Sequence, residues 1–116
     1  MTEPLNNYWV NTSHDTYLRR TTTSSLDQKD AGKTDLQSYT LALYRGARAI
    51  ELDVWDGAPG TTEPVVRCGV TAFDDSAGKT ASNYSSLAFR DVIKSVSYFL
   101  LSKPDSYPII LLIENQ

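Results

Sequence analysis

Five side chains in this sequence have the types and spacing to do chemistry: His14 with Asp15 beside it, Glu51 two positions before Asp53, and Glu114 near the end. An imidazole titrates close to neutral pH, so His14 is a candidate proton donor or phosphate-binding group. Carboxylates two apart on a strand project from the same face, which aims Glu51 and Asp53 at one place. Gathered there with Glu114 and Asp15, they repel one another unless a cation neutralises them. Oxygen donors with no thiolate and little imidazole suit calcium or magnesium rather than zinc or copper. The single Cys68, with one histidine in the whole sequence, excludes both an intrachain disulfide and a zinc site.

These residues need elements to position them, and hydrophobic periodicity supplies the candidates. Tyr8-Trp9-Val10 reads as a short strand running into the polar stretch that holds His14. Thr34 and Gln37 have capping-box spacing, and Leu36, Tyr39, Thr40 and Leu43 repeat at helical intervals up to Arg45-Gly46. From Ala47 to Trp55 the pattern alternates, with Ile50, Leu52 and Val54 on one face and Ala49, Glu51 and Asp53 on the other. Pro64 to Cys68 is a further short strand after the turn dipeptides Asp56-Gly57 and Pro59-Gly60. Ser85 or Ser86 caps a second helix with Phe89, Val92, Ile93, Val96, Phe99 and Leu100 on its apolar face. Ile109 to Ile113 is apolar at every position, the pattern of a parallel strand buried on both faces. Polar loops cover Arg19 to Lys33 and Asp74 to Asn83.

The resulting order is strand, helix, strand, strand, helix, strand. His14, the Glu51/Asp53 pair and Glu114 each fall at or near the C-terminal end of a strand, the rim where α/β sheets and barrels place ligands. A competing reading puts Glu51 and Asp53 on the solvent face of an edge strand, with Glu114 serving only a terminus.

Composition narrows the class. With 116 residues, 41% hydrophobic and 22% charged positions, the chain reads as one soluble globular unit. The longest apolar run has five residues, far from a membrane span. The first residues carry no basic and apolar leader, so the expected compartment is cytoplasmic. Eleven basic against 14 acidic residues give a net charge of -3 with no basic cluster, and nucleic acid is not an expected partner. Gly32-Lys33-Thr34 and Gly78-Lys79-Thr80 lack the first glycine of a phosphate-binding loop. The sequons at Asn11 and Asn83 are expected to be silent.

At the same rim residues the sequence resembles the X region of the eukaryotic phosphoinositide-specific phospholipase C family. The segment from Pro4 to Leu18, Glu51-Leu52-Asp53-Val54-Trp55-Asp56-Gly57, and Tyr107 to Asn115 match its ordered boxes. The resemblance covers nearly the whole chain. It implies the first half of a distorted TIM-type (β/α)₈ barrel, about four parallel strands with helices, occupying residues 1–116 with the Y half absent. A closed barrel takes roughly 200 residues or more.

The resemblance also implies a reaction: calcium-dependent phosphodiester hydrolysis of phosphatidylinositol 4,5-bisphosphate to diacylglycerol and inositol trisphosphate, in lipid signalling. By position, His14 is similar to the family's first catalytic histidine, and Asp15, Glu51, Asp53 and Glu114 to its Ca2+ ligands. Glu51 is also the group offered to take the hydroxyl proton. The implied partners are a phosphoinositide headgroup at a membrane surface, which makes the protein peripheral there, and a Y-half polypeptide that completes the barrel.

Two residues depart from the pattern. Asp15 stands where the family has Asn, adding charge to an acidic cage. Val70, in Gly69-Val70-Thr71, stands where the family has its second histidine, so a general-acid gain of roughly 10²- to 10⁴-fold is missing. The expectation is therefore little or no activity from this chain alone. A catalytically inactive calcium- or phosphoinositide-binding module is the alternative. A glycerophosphodiester phosphodiesterase is disfavoured by the long opening box.

Overall fold

The computed structural model describes residues 2–18, 34–67 and 85–116. The expected loops at 19–33 and 74–83, the Cys68 position and Gly69-Val70-Thr71 lie outside these residues. The described elements are a 3-10 turn (Leu5–Asn7), β1 (Thr12–Ser13), α1 (Leu36–Tyr44), β2 (Ala49–Trp55), β3 (Val65–Val66), β4 (Leu87–Ala88), α2 (Phe89–Ser102) and β5 (Ile110–Asn115). They form a mixed α/β fold on one five-stranded sheet.

β2 is its centre. β5 runs parallel to it through six residue pairs, from Ala49 opposite Ile110 to Val54 opposite Asn115. On the other edge β1 runs parallel, with Thr12 opposite Ala49, and β3 antiparallel, with Val54 opposite Val66. β4 then pairs antiparallel with β3. Three described strands are thus parallel, not the four expected. The reason is connection length: only residues 56–64 join β2 to β3, and a parallel return needs a crossover of about a dozen residues or more. The short loop closes tightly, since a side chain at Gly57 would collide with the Glu63 carbonyl.

Helix α1 starts one residue later than the capping box predicts. Asp35 is the N-cap, its carboxylate accepting from the Gln37 amide at 2.9 Å. The displaced Thr34 bonds instead to Ser85, through both its amide and its hydroxyl. Ser85 is therefore a tether and not a cap, and α2 begins behind Ala88 with the Arg90 amide donating to Glu63 at 3.2 Å. At the far end of α1, Gly46 adopts φ +98° and the Ala47 amide reaches back to Ala42 at 3.0 Å, a left-handed cap that only glycine takes without strain.

The core lies between the helices and one face of the sheet. Ile50, Leu52 and Val66 pack there with Tyr39 and Leu43 of α1, Val92, Val96 and Phe99 of α2, and Tyr17. Two expectations about burial need correcting. Tyr8-Trp9-Val10 is not a strand: Trp9 is fully exposed, and pairing begins only where the Asn11 carbonyl accepts from Arg48 and Ala49. Nor is β5 buried on both faces, since Leu112 and Ile113 are 44% and 54% exposed. Among the described residues β5 has a partner on one edge only. No described helix is long and apolar enough to cross a membrane.

Candidate active site

β1 ends at Ser13 and delivers His14 and Asp15 to the C-terminal rim of β2. Asp15 sits at φ +49°, in the left-handed region that Asp tolerates better than most residues. The turn is held by the Thr16 hydroxyl on the Ser13 carbonyl at 3.0 Å and the Leu18 amide on the Asp15 carbonyl at 3.0 Å. It aims the Asp15 amide at Glu51, which accepts it on Oε2 at 2.9 Å. His14 lies over the same pair, Nδ1 at 3.3 Å from Asp15 Oδ2 and Nε2 at 3.4 Å from Glu51 Oε2. Its side chain is 76% exposed, open to an incoming molecule.

The β2–β5 register supplies the rest. Asp53 stands directly opposite Glu114, so both project from the face that carries Glu51. Glu51, Asp53 and Glu114 each bring a carboxylate oxygen within 4.8 Å of the others, and so do the ligand atoms of His14, Asp15 and Glu51. All five residues singled out in the sequence therefore meet at one rim, with Glu51 common to both triads. β2 is central and Glu51 only 8% exposed, so the edge-strand reading of its acids does not hold.

Sequence reasoning missed two residues here. Tyr17, buried in the core, donates its hydroxyl to Asp53 Oδ2 at 2.6 Å and faces Asp15 Oδ1 at 3.0 Å. Its only sequence signal is its place three residues after His14. Burial and the two carboxylates push its pKa well above the ordinary tyrosine range, so the hydroxyl keeps its proton. Burial also raises Tyr39, with the charges of Asp53 and Glu51 adding to it, and its hydroxyl donates to the Glu51 carbonyl at 3.3 Å. Arg67, the second missed residue, is buried across from Asp53, whose carbonyl accepts the Arg67 amide at 3.3 Å. Its guanidinium stacks 4.5 Å from the Trp55 ring.

The donor set tests what such a site could hold. Unit charges about 4 Å apart near a protein surface repel by roughly 4 kcal/mol, so three or four carboxylates here favour a dication. Tyr17 uses one oxygen of Asp53, which leaves Oδ1 for a ligand, and the bonds to Glu51 fall on Oε2, which leaves Oε1. Hard oxygens without thiolate fit calcium.

Comparison with known proteins places this rim in a family. Residues 1–116 match the phosphatidylinositol-specific phospholipase C, X domain. The chain is 36% identical over 115 residues to the 1-phosphatidylinositol 4,5-bisphosphate phosphodiesterase delta-4 of Bos taurus, covering 99% of this chain and 12% of that protein. It is 35% identical to the inactive phospholipase C-like protein 2 of Homo sapiens, covering 99% of this chain and 8% of that one. The crystal structure of L. pealei PLC21 superposes with a TM-score of 0.67 at 30% identity, over 97% of this chain and 12% of that one. The chain thus spans a small fraction of the length of its relatives. Over that span the agreement is continuous, and the chain belongs to the phosphatidylinositol-specific phospholipase C X-domain family.

Proposed function

We propose that this chain is the X part of a phosphoinositide phospholipase C catalytic barrel, with β1, β2 and β5 as three successive barrel strands and β3–β4 as a hairpin outside them. The family reaction is phosphodiester hydrolysis of phosphatidylinositol 4,5-bisphosphate at a membrane surface. The observation that carries this reading is the convergence of His14, Asp15, Glu51, Asp53 and Glu114 on one strand rim. The edge of β5 that has no partner among the described residues is where a Y-half polypeptide would continue the sheet.

Asp15, Glu51, Asp53 and Glu114 would hold Ca2+. An ion held there would supply Lewis-acid chemistry, lowering the pKa of a bound hydroxyl and offsetting phosphoryl charge. His14, exposed above the carboxylates, donates to the phosphoryl oxygens as they gain charge. Glu51 takes the proton of the attacking hydroxyl, its other oxygen being held by the Asp15 amide. Protonating the leaving oxygen needs a second acid, and Val70 has no proton to give. Turnover is accordingly impaired, by roughly 10²- to 10⁴-fold.

Calorimetric titration with calcium tests the site. Heat is expected for the parent chain and not for Asp53→Ala, and no heat from the parent overturns the reading. Inositol phosphate release from vesicles containing phosphatidylinositol 4,5-bisphosphate tests the impairment, which fails if turnover matches that of complete family members. A second reading, a binding module without catalysis, draws on Val70 and on the similarity to an inactive phospholipase C-like protein. Calcium-dependent vesicle binding with no release of product distinguishes it.

A further inference from the structure

The geometry points to Tyr17 as a positioning residue whose hydroxyl joins the two carboxylate triads into one cation cage. This inference rests on the calcium reading above and adds to it a residue that touches neither ion nor substrate.

Asp15 and Asp53 belong to different triads, one with His14 and Glu51, the other with Glu51 and Glu114. They come from different elements, Asp15 from the turn after β1 and Asp53 from β2. Apart from the shared Glu51, the link between them is the Tyr17 hydroxyl, 2.6 Å from Asp53 Oδ2 and 3.0 Å from Asp15 Oδ1. The proton goes to one carboxylate at a time, and either position turns one oxygen of each acid inward. The opposite oxygens, Asp53 Oδ1 and Asp15 Oδ2, are left for a cation. Asp15 Oδ2 is the one that approaches His14 at 3.3 Å.

Such a link orients only if its donor is fixed, and Tyr17 is. Its side chain is 1% exposed within the helix-side core. Its carbonyl accepts from the Asp35 amide at 2.8 Å, which ties the residue to the N-cap of α1. The hydroxyl is therefore preorganised by packing made for other reasons, and the ligand carboxylates inherit its position. Groups that hydrogen-bond metal ligands in this way typically govern affinity by 10- to 100-fold. The hydroxyl also offsets repulsion between Asp15 and Asp53 before any ion arrives.

Tyr17→Phe deletes the hydroxyl and keeps the ring. Calcium and magnesium are titrated calorimetrically into the 116-residue parent, Tyr17→Phe and Tyr39→Phe, with melting of each metal-free chain recorded alongside. Tyr39 donates to the backbone of Glu51 and not to a ligand oxygen, so its variant controls for loss of a buried hydroxyl. The expected result is calcium binding roughly 10- to 100-fold weaker in Tyr17→Phe, a reduced preference for calcium over magnesium, and parent-like affinity in Tyr39→Phe. Unchanged affinity in a folded Tyr17→Phe overturns the role of Tyr17 and leaves the calcium site standing. Equal weakening in both variants overturns it as a general packing effect. Failure of Tyr17→Phe to fold where Tyr39→Phe folds assigns the hydroxyl to stability and overturns it as well. A parent that binds no calcium overturns the calcium reading itself.

Discussion

β2 and β5 lie side by side in register for six residues and carry acids at the same rim, yet they live in different surroundings. β2 is paired on both edges and packed by helices, so Ile50 and Leu52 are fully buried and even Glu51 is nearly so. Among the described residues β5 is paired on one edge, and its outer half turns Leu112 and Ile113 to solvent. The difference teaches that apolar sequence does not bury a strand; neighbours on both sides do. It also separates the acids: Glu51 and Asp53 stand on the doubly paired strand, with Asp53 bonded to Tyr17, whereas Glu114 stands on a strand that has a partner on one edge only among the described residues.

The largest effect should come from shortening equivalent side chains in the two strands. Leu52→Ala opens a cavity in the buried strand and should cost about 2–5 kcal/mol in denaturant unfolding. Ile113→Ala, on the exposed half of β5, should cost about 0.5 kcal/mol. If Ile113→Ala proves as costly as Leu52→Ala, something covers β5 in solution and the contrast breaks. Concentration-dependent melting would then identify self-association along the open edge, since an exposed apolar edge strand is a template for pairing.

What the sequence could and could not reveal follows the same division. The alternation of Ala49 to Val54 was legible because one face had to be apolar, and the acids at its end followed from the period of two. The helices were legible from their apolar spacing, although the caps were not: Asp35 and Thr34 are both accepted cap types, and in the fold Asp35 takes the cap while Thr34 is tethered to Ser85. The direction of β3 was in principle readable from the nine residues of 56–64, too few for a crossover. Burial of β5 was not, because a buried strand and a strand awaiting a neighbour carry the same residues. Tyr17 escaped because its role depends on two carboxylates in the fold and not on any local pattern.

A smaller effect sharpens the contrast through pH. Tyr39 and Tyr17 have hydroxyls whose pKa lies above the ordinary value of 10, because burial penalises the phenolate and neighbouring carboxylates repel it. In the unfolded chain both return to about 10. A group raised in the folded state adds stability that is fully present below the unfolded value and is lost as pH rises toward the folded one. The melting temperature should therefore begin to fall above about pH 10. Tyr39→Phe should fall less steeply there, since Phe has nothing to ionise. An identical limb in Tyr39→Phe would mean that the phenol is reached by solvent and that the region behind β2 is looser than its packing implies.

The smallest effect belongs to the hairpin that flanks β2 on the side away from β5. Glu63 accepts from the Arg90 side chain, with Nε at 2.8 Å, and from the Arg90 amide at 3.2 Å, clamping the β2–β3 loop to the first turn of α2. Those bonds, the side-chain one first, hold the Glu63 carboxyl below the ordinary carboxylate value of 4.5. A group depressed in the folded state adds stability that is present above the unfolded value and is lost as pH falls toward the folded one. The pair is partly exposed, so its contribution is small and screened by salt. Glu63→Gln should lower the melting temperature slightly at pH 7, and parent and variant should converge as pH drops below about 4. The same convergence should follow added salt at neutral pH. A large loss at pH 7 that salt does not reduce would show that the clamp acts by packing the loop against α2.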